Sequence, residues 1–122
     1  HHHDFELYSF GDTTGLYILL HECDPRYVAF EIDVYWAAYA SVDPVQLIGK
    51  FTGRAPLVHL KDMAPGSRTF AEVGAGTLDI PAILSAGRNA GAQWFIVEQD
   101  VCQRPPLESV RMSYEYLRRL GT

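Results

Sequence analysis

Four polar side chains suited to holding a metal ion or moving a proton each close a short apolar run. They are Glu6 after His3-Asp4-Phe5, Asp33 after Phe30-Glu31-Ile32, His59 after Leu57-Val58, and Glu98 after Phe95-Ile96-Val97. Three carboxylates and one imidazole form an oxygen-rich donor set that suits a hard or borderline divalent ion: Mn²⁺, Mg²⁺, Co²⁺ or Zn²⁺. Without a cation, three carboxylates gathered in one buried place would repel one another and raise their own pKa values. With a metal polarising a carbonyl or hydroxyl, Glu6 and Glu98 on opposite sides of the pocket are the expected catalytic pair, relaying a proton at the adjacent carbon. That chemistry interconverts aldoses and ketoses or inverts a ketose centre. Taken singly, each carboxylate reads as a solvated strand end or helix cap, and His59 as a hydrogen-bonded core histidine. Four such strand ends together point to one site.

The elements needed to gather them follow from spacing. The four residues lie 27, 26 and 39 positions apart, each interval long enough for a strand, a loop, a helix and the return. The first strand is expected around Asp4-Phe5-Glu6-Leu7-Tyr8. Turn residues at 11–15 then lead, with Thr13 or Thr14 as N-cap, into a helix over 16–22 that Asp24-Pro25 ends. A near-continuous apolar run over 27–35 reads as a strand covered on both faces, followed by a loop over 36–42. Asp43-Pro44 opens a short helix, 55–61 reads as the third strand, and the glycine-containing stretch 62–76 as a functional loop. Asp79-Ile80-Pro81 opens the next helix, 93–98 is the fourth strand, and Pro105-Pro106 begins a last helix. Its apolar positions Leu107, Val110, Met112, Tyr114, Leu117 and Leu120 suggest a buried stripe.

The unusual residues all fall after strands, whereas the returns at 23–26, 52–54 and 89–92 look like plain turns, as on the active face of an α/β sheet or barrel. A full barrel takes about 250 residues. The expected architecture is therefore α/β: a (βα)₄ half of a TIM barrel with parallel strands, one domain over 1–122 and a fragment of a (βα)₈ barrel. Two copies completing a barrel and a small open sheet are the alternatives. By strand alternation Glu31 points to the side of Asp33 and needs a cationic partner there. Lys61 aims into the same pocket, as a donor to a substrate oxygen or in a salt bridge to Asp62 or Glu31. Trp36 and Phe70 could stack on a sugar ring or serve as core. Gly74-Ala75-Gly76 precedes no strand-to-helix turn of the nucleotide-binding kind and reads as a tight turn towards Asp79.

Composition narrows the classes. With 10 basic and 15 acidic residues the net charge is −5, and no basic cluster offers a surface for nucleic acid. No apolar run is long enough to cross a membrane. Cys23 and Cys102 fit neither a metal pair nor a disulfide scaffold. His1-His2-His3 could end an expression tag, but runs directly into a strand-like segment and is read as native. A cytoplasmic location is favoured, with a targeting segment upstream left open.

These residues resemble a known family. His1-His2-His3-Asp4-Phe5-Glu6, Asp24-Pro25, Phe30-Glu31-Ile32-Asp33-Val34-Tyr35-Trp36, Asp43-Pro44, His59-Leu60-Lys61-Asp62-Met63, Glu72-Val73-Gly74-Ala75-Gly76-Thr77-Leu78-Asp79, Val97-Glu98-Gln99-Asp100 and Pro106-Leu107-Glu108-Ser109 occur in the order found in the C-terminal half of sugar phosphate isomerase/epimerases of the xylose-isomerase-like TIM-barrel superfamily. The resemblance implies metal ligands at Glu6, Asp33, His59 and Glu98, with Mn²⁺ foremost and Mg²⁺, Co²⁺ or Zn²⁺ as alternatives. It implies proton transfer by Glu6 and Glu98 through a cis-enediol. His3, Trp36 and Lys61 are the expected substrate contacts, and the expected partner is a small carbohydrate, with a homo-oligomer as a further possibility. The family's first motif commonly reads His-Asn-His, and His2 stands here in the Asn place. The alternatives are a metal-dependent hydrolase on the same barrel, of the abasic-site endonuclease kind, and a non-catalytic sugar-binding relative.

Overall fold

In the computed structural model, which describes residues 1–121, three parallel strands carry the site. They are β3 (Glu31–Asp33), β4 (Leu57–Leu60) and β7 (Trp94–Val97), in the order β3-β4-β7. Asp33 pairs with His59 and His59 with Ile96, and the ladder continues beyond β7 where Glu98 N donates to Leu60 O at 3.2 Å. Parallel pairing places the strand C-termini, and so Asp33, His59 and Glu98, at one edge of the sheet. This is the (βα) architecture of a partial barrel.

Two short antiparallel pairs flank it: β1 (Ser9–Phe10) with β2 (Thr13–Thr14), and β5 (Asp62–Met63) with β6 (Phe70–Ala71). The helices are α1 (Gly15–Glu22), α2 (Val34–Tyr39), α3 (Pro44–Lys50), α4 (Ile80–Ala90) and α5 (Pro106–Arg119). Most begin on a side-chain cap: Thr14 accepts from Tyr17 N, Asp43 from Val45 N and Asp79 from Ala82 N, each satisfying an otherwise orphaned N–H. Gly91, at φ 92°, closes α4 in the left-handed conformation that glycine adopts without penalty.

Strand alternation divides the sheet into two faces. Ile32, Val58 and Leu60 turn to the helices and join Leu47, Ile48, Phe51, Ile80, Ile83 and Leu84 in the core. Glu31, Asp33, Leu57, His59, Trp94 and Ile96 turn the other way. Trp94 is 67% and Ile96 41% exposed, as expected of a barrel's inner face when only half the barrel is present.

Four expectations are corrected. The segment around Glu6 forms a 3₁₀ turn, Phe5–Leu7, and not a strand. The second strand ends at Asp33, because that side chain accepts from Tyr35 N and Trp36 N at 3.0 Å each and starts α2 where a continued strand and then a loop were expected. The return at 52–54 is more than a turn: Arg54 donates to the carbonyls of Leu20, Cys23 and Val28, closing the end of α1. On α5 the expected stripe is largely outward, with Leu107, Val110 and Tyr114 exposed. Ser109 and Ser113 are buried instead, bonded to the Glu72 carboxylate and Val73 N. Cys23 and Cys102 are both free thiols. No described helix is long and apolar enough to cross a membrane.

Candidate metal and proton-transfer site

The site forms where β3, β4 and β7 end. Asp33 is fully buried and divides its carboxylate. Oδ1 caps α2, while Oδ2 faces His59 Nδ1 at 3.4 Å and Lys61 Nζ at 3.2 Å. His59 stands between carboxylates, its Nε2 3.0 Å from Glu31 Oε1 and its Nδ1 3.4 Å from Glu98 Oε2. Lys61, 1% exposed, places Nζ 2.6 Å from Glu98 Oε2 and 2.9 Å from Asp100 Oδ2. Its partners are therefore Asp33, Glu98 and Asp100, and not the expected Asp62 or Glu31. The partner that Glu31 needed is His59.

The electrostatics follow from this crowding. Burial alone would raise Asp33, but His59, the Trp36 N–H and Lys61 outweigh it and hold the carboxyl below its usual range. Burial would likewise lower His59 and Lys61. The Asp33, Glu31 and Glu98 carboxylates reverse the sign for the imidazole, and Glu98, Asp100 and Asp33 do so for the ammonium, so both end above their usual values. Three carboxylates face the one ammonium here, and a fourth, Glu31, faces the imidazole.

Glu31 Oε1, Asp33 Oδ2, His59 Nδ1 and Glu98 Oε2 are buried, and none makes a hydrogen bond of good geometry. Buried polar atoms are ordinarily satisfied. Asp33 Oδ2 and Glu98 Oε2 gather at His59 Nδ1, with Glu31 on the far side of the ring; unsatisfied acceptors brought together with excess negative charge are what a cation-binding site presents.

Among the described residues, one trio of potential metal ligands has donor atoms all within 4.8 Å of one another: His1, Asp33 and His59. Of the expected ligands, Asp33, His59 and Glu98 come together, the last through His59 Nδ1. Glu6 is not brought into the trio, because the 3₁₀ turn directs its carboxylate to the chain's own backbone, where Oε2 accepts from His3 N at 2.7 Å. His1 takes that place. Its Nδ1 donates to His2 O at 2.7 Å and also lies 4.0 Å from Asp33 Oδ2, and its ring is 4.8 Å from that of His59.

His2 is the support behind this arrangement. It is buried, its Nδ1–H donates to His3 O at 2.9 Å, and its Nε2 accepts from Asp33 N at 3.1 Å. Those two bonds require one neutral tautomer, and burial lowers the pKa accordingly. His3 and Trp36, expected at the substrate, stand beside the cluster. The His3 ring is 4.6 Å from His1 and 5.7 Å from Trp36, and Lys61 Nζ is 5.9 Å above the Trp36 ring.

Two groups were not anticipated. Asp100 follows Glu98 at a spacing of two, the same alternation that links His59 to Lys61, and that spacing was the available signal. Asp62, also fully buried, accepts from Met63 N and Leu78 N on Oδ1 and from Gly74 N and Gly76 N on Oδ2. The glycine loop thus wraps the chain's own carboxylate. A Cβ on Gly76 would collide with that carboxylate, and one on Gly74, at φ +88°, with the Tyr116 ring.

No protein-family model and no curated protein matches the chain. Among solved structures it is similar to a sugar phosphate isomerase/epimerase from Parabacteroides distasonis ATCC 8503, at 27% identity and a TM-score of 0.79. The match covers 94% of this chain and 42% of that one. A second sugar phosphate isomerase/epimerase structure from the same organism matches at 25% identity and a TM-score of 0.78, covering 94% of this chain and 43% of that one. The chain therefore spans less than half the length of the structures it matches.

Proposed function

Proceeding from a chain with the half-barrel fold of sugar phosphate isomerase/epimerases, we propose that it carries the metal-binding and proton-transfer face of a divalent-metal-dependent sugar isomerase or epimerase. The observation that carries this reading is the gathering of buried Asp33, His59 and Glu98 donor atoms, none with a hydrogen bond of good geometry, at the C-terminal ends of adjacent parallel strands.

Asp33 and His59, with His1 from the N-terminal segment and Glu98 at the rim, are the residues that would hold the ion. With two imidazoles in reach, the set favours Mn²⁺, Co²⁺ or Zn²⁺ over Mg²⁺. The ion's contribution would be to polarise a substrate oxygen and so acidify the neighbouring C–H.

The chain's own groups divide the remaining work by exposure. Asp33 is sealed and already caps α2, which suits a fixed ligand. Glu98, with a side chain 43% exposed, is the cluster member best able to reach a substrate carbon and take its proton. Lys61, whose Nζ is 2.6 Å from that carboxylate, offers N–H bonds to an oxygen developing negative charge. Glu6, placed elsewhere by its turn, has no part in this scheme. The substrate is a small carbohydrate, with Trp36 and His3 as flanking rings.

The test is exchange of a carbon-bound substrate proton with deuterated solvent, across a panel of aldoses and ketoses. Exchange should require Mn²⁺, cease on chelation, and be lost in Glu98→Gln with the fold intact. Failure to exchange with every sugar, or unimpaired exchange in Glu98→Gln, would contradict the proposal.

A further inference from the structure

Asp100 has no part in the proton transfer proposed above, yet it makes the best-formed contact that the Lys61 ammonium has. Three carboxylate oxygens surround that ammonium: Glu98 Oε2 at 2.6 Å, Asp100 Oδ2 at 2.9 Å and Asp33 Oδ2 at 3.2 Å. Of the three, only the contact with Asp100 is a hydrogen bond of good geometry. Asp33 Oδ2 and Glu98 Oε2 are buried and make none. Lys61 is thus anchored by direction to Asp100 and held by charge alone to the other two.

Those other two oxygens are the ones the ion would take. A divalent ion binds carboxylate oxygens at about 2.0–2.2 Å, closer than the ammonium stands. Two cations sharing one pair of oxygens would be in near contact, where like charges repel strongly. The ion and the ammonium therefore exclude each other at Asp33 and Glu98. The ammonium cannot simply retreat, because Lys61 is 1% exposed and the Trp36 and Phe70 rings each stand 5.9 Å from Nζ. A buried charge stripped of its partners is strongly unfavourable.

Asp100 is placed to keep that charge paired. It stands two residues beyond Glu98, as Lys61 stands two beyond His59, so both follow the ends of adjacent parallel strands. Lys61 is the one hydrogen-bond partner of the Asp100 carboxylate among the described residues. The flexible four-carbon stem of a lysine lets its ammonium shift between neighbouring oxygens by side-chain rotation alone. No backbone movement is required.

We propose that Lys61 stands in for the cation at Asp33 and Glu98 until an ion binds, and that Asp100 is the positioning residue that draws the ammonium off those oxygens and makes room for the metal. This deepens, and rests on, the metal-site reading above. The first test is a double-mutant cycle on Mn²⁺ affinity. Asp100→Asn should weaken Mn²⁺ binding roughly tenfold, and Asp100→Glu, which keeps the charge, should restore most of it. Lys61→Met should tighten Mn²⁺ binding, because the competing ammonium is gone. In that background Asp100→Asn should change the affinity by less than about twofold. A plain electrostatic effect of Asp100 on the ion would be the same in both backgrounds, so additivity overturns the proposal, as does weaker binding in Lys61→Met. The second test needs no substitution. The chain has two lysines, Lys50 and Lys61, and Lys50 lies on α3 with its Nζ 5.2 Å from the Tyr17 ring, so it serves as a reference. In protein carrying ¹⁵N-labelled lysine, Zn²⁺ should leave the coupling of Lys61 Nζ to the Asp100 carboxyl carbon and remove any to Glu98; coupling to Glu98 in the Zn²⁺-bound protein overturns the proposal. If neither ion binds, the metal-site reading falls and takes this one with it. If both ions bind but the cycle is additive, the exchange of partners fails and the metal site stands. If the cycle is non-additive while no sugar exchanges its proton, the role of Asp100 stands and the isomerase reading fails.

Discussion

Asp33 and Asp62 are equally buried, each at 0% exposure, and lie at the ends of neighbouring segments of the same half-barrel, yet they do opposite things. Asp62 is saturated. Four backbone N–H groups converge on its two oxygens, from Met63, Gly74, Gly76 and Leu78, and neither oxygen is left without a partner. Asp33 is saturated on one side only: Oδ1 receives the first N–H groups of α2, and Oδ2 is left facing His59 and Lys61 without a well-formed hydrogen bond. Burial does not separate structure from chemistry in this chain; satisfaction does. A carboxylate enclosed by backbone donors organises a loop, and one with an orphaned oxygen turned towards other acids and an imidazole is available to a metal.

The largest effect expected from this contrast is on folding at Asp62. Asp62→Asn turns an amide NH₂ towards backbone N–H donors and removes the charge that holds them, costing on the order of 3 kcal/mol in urea unfolding. A loss below about 1 kcal/mol would break the comparison. At Asp33 the balance reverses. Asp33→Asn keeps an oxygen for the cap, so the metal-free protein should lose only about 1 kcal/mol, whereas Mn²⁺ affinity should fall by roughly two orders of magnitude. Gly76→Ala probes the loop from outside the carboxylate, since its Cβ would meet Asp62 and, at 2.5 Å, Met63 O. The expected loss is about 1–3 kcal/mol with Mn²⁺ binding retained.

The smallest effect concerns Glu72, next to the same loop. Burial would raise its pKa, but the Ser109 hydroxyl and Arg104, whose Nε is 3.0 Å away, outweigh it and hold the group below its ordinary 4.5. A folded-state value below the unfolded one stabilises fully above about pH 4.5. That contribution is lost as pH falls through the lower, folded value. Glu72→Gln should therefore lower stability at neutral pH by about 1 kcal/mol or less, with the difference from the parent protein vanishing as pH falls below the folded-state value.

How much of this was legible depended on whether a residue sat in regular structure. Asp33, His59 and Lys61 follow from strand alternation, and the strands at Leu57–Leu60 and Trp94–Val97 form where β-branched and aromatic residues cluster. The strand expected around Glu6 was misjudged because alternation presumes a strand, whereas the segment folds as a 3₁₀ turn over Phe5–Leu7 with the Glu6 carboxylate on His3 N. The helix at Val34–Tyr39 was hidden for a related reason: Val34 and Tyr35 read as the end of a strand and 36–42 as a loop, and Asp33, read as a metal ligand, was not recognised as an N-cap. The role of Asp62, read only as a possible partner of Lys61, was missed because its partners are backbone N–H groups up to 16 residues away, which side-chain patterning does not register. The outward-facing stripe on α5 shows the limit of periodicity. It marks an amphipathic helix but not which side meets the core, and there the polar Ser109 and Ser113 answer the ends of Glu72 and Val73.

The central claim is that His1, Asp33 and His59 bind one divalent ion and that Glu6 does not. Mn²⁺ titration followed by paramagnetic resonance tests it most directly, because directly bound imidazole nitrogens leave hyperfine couplings. One ion per chain is expected, with nitrogen coupling that weakens in His1→Gln and in His59→Gln, and with Glu6→Gln indistinguishable from the parent protein. Mn²⁺ binding that survives Asp33→Asn and His59→Gln, or that disappears in Glu6→Gln, would contradict the account.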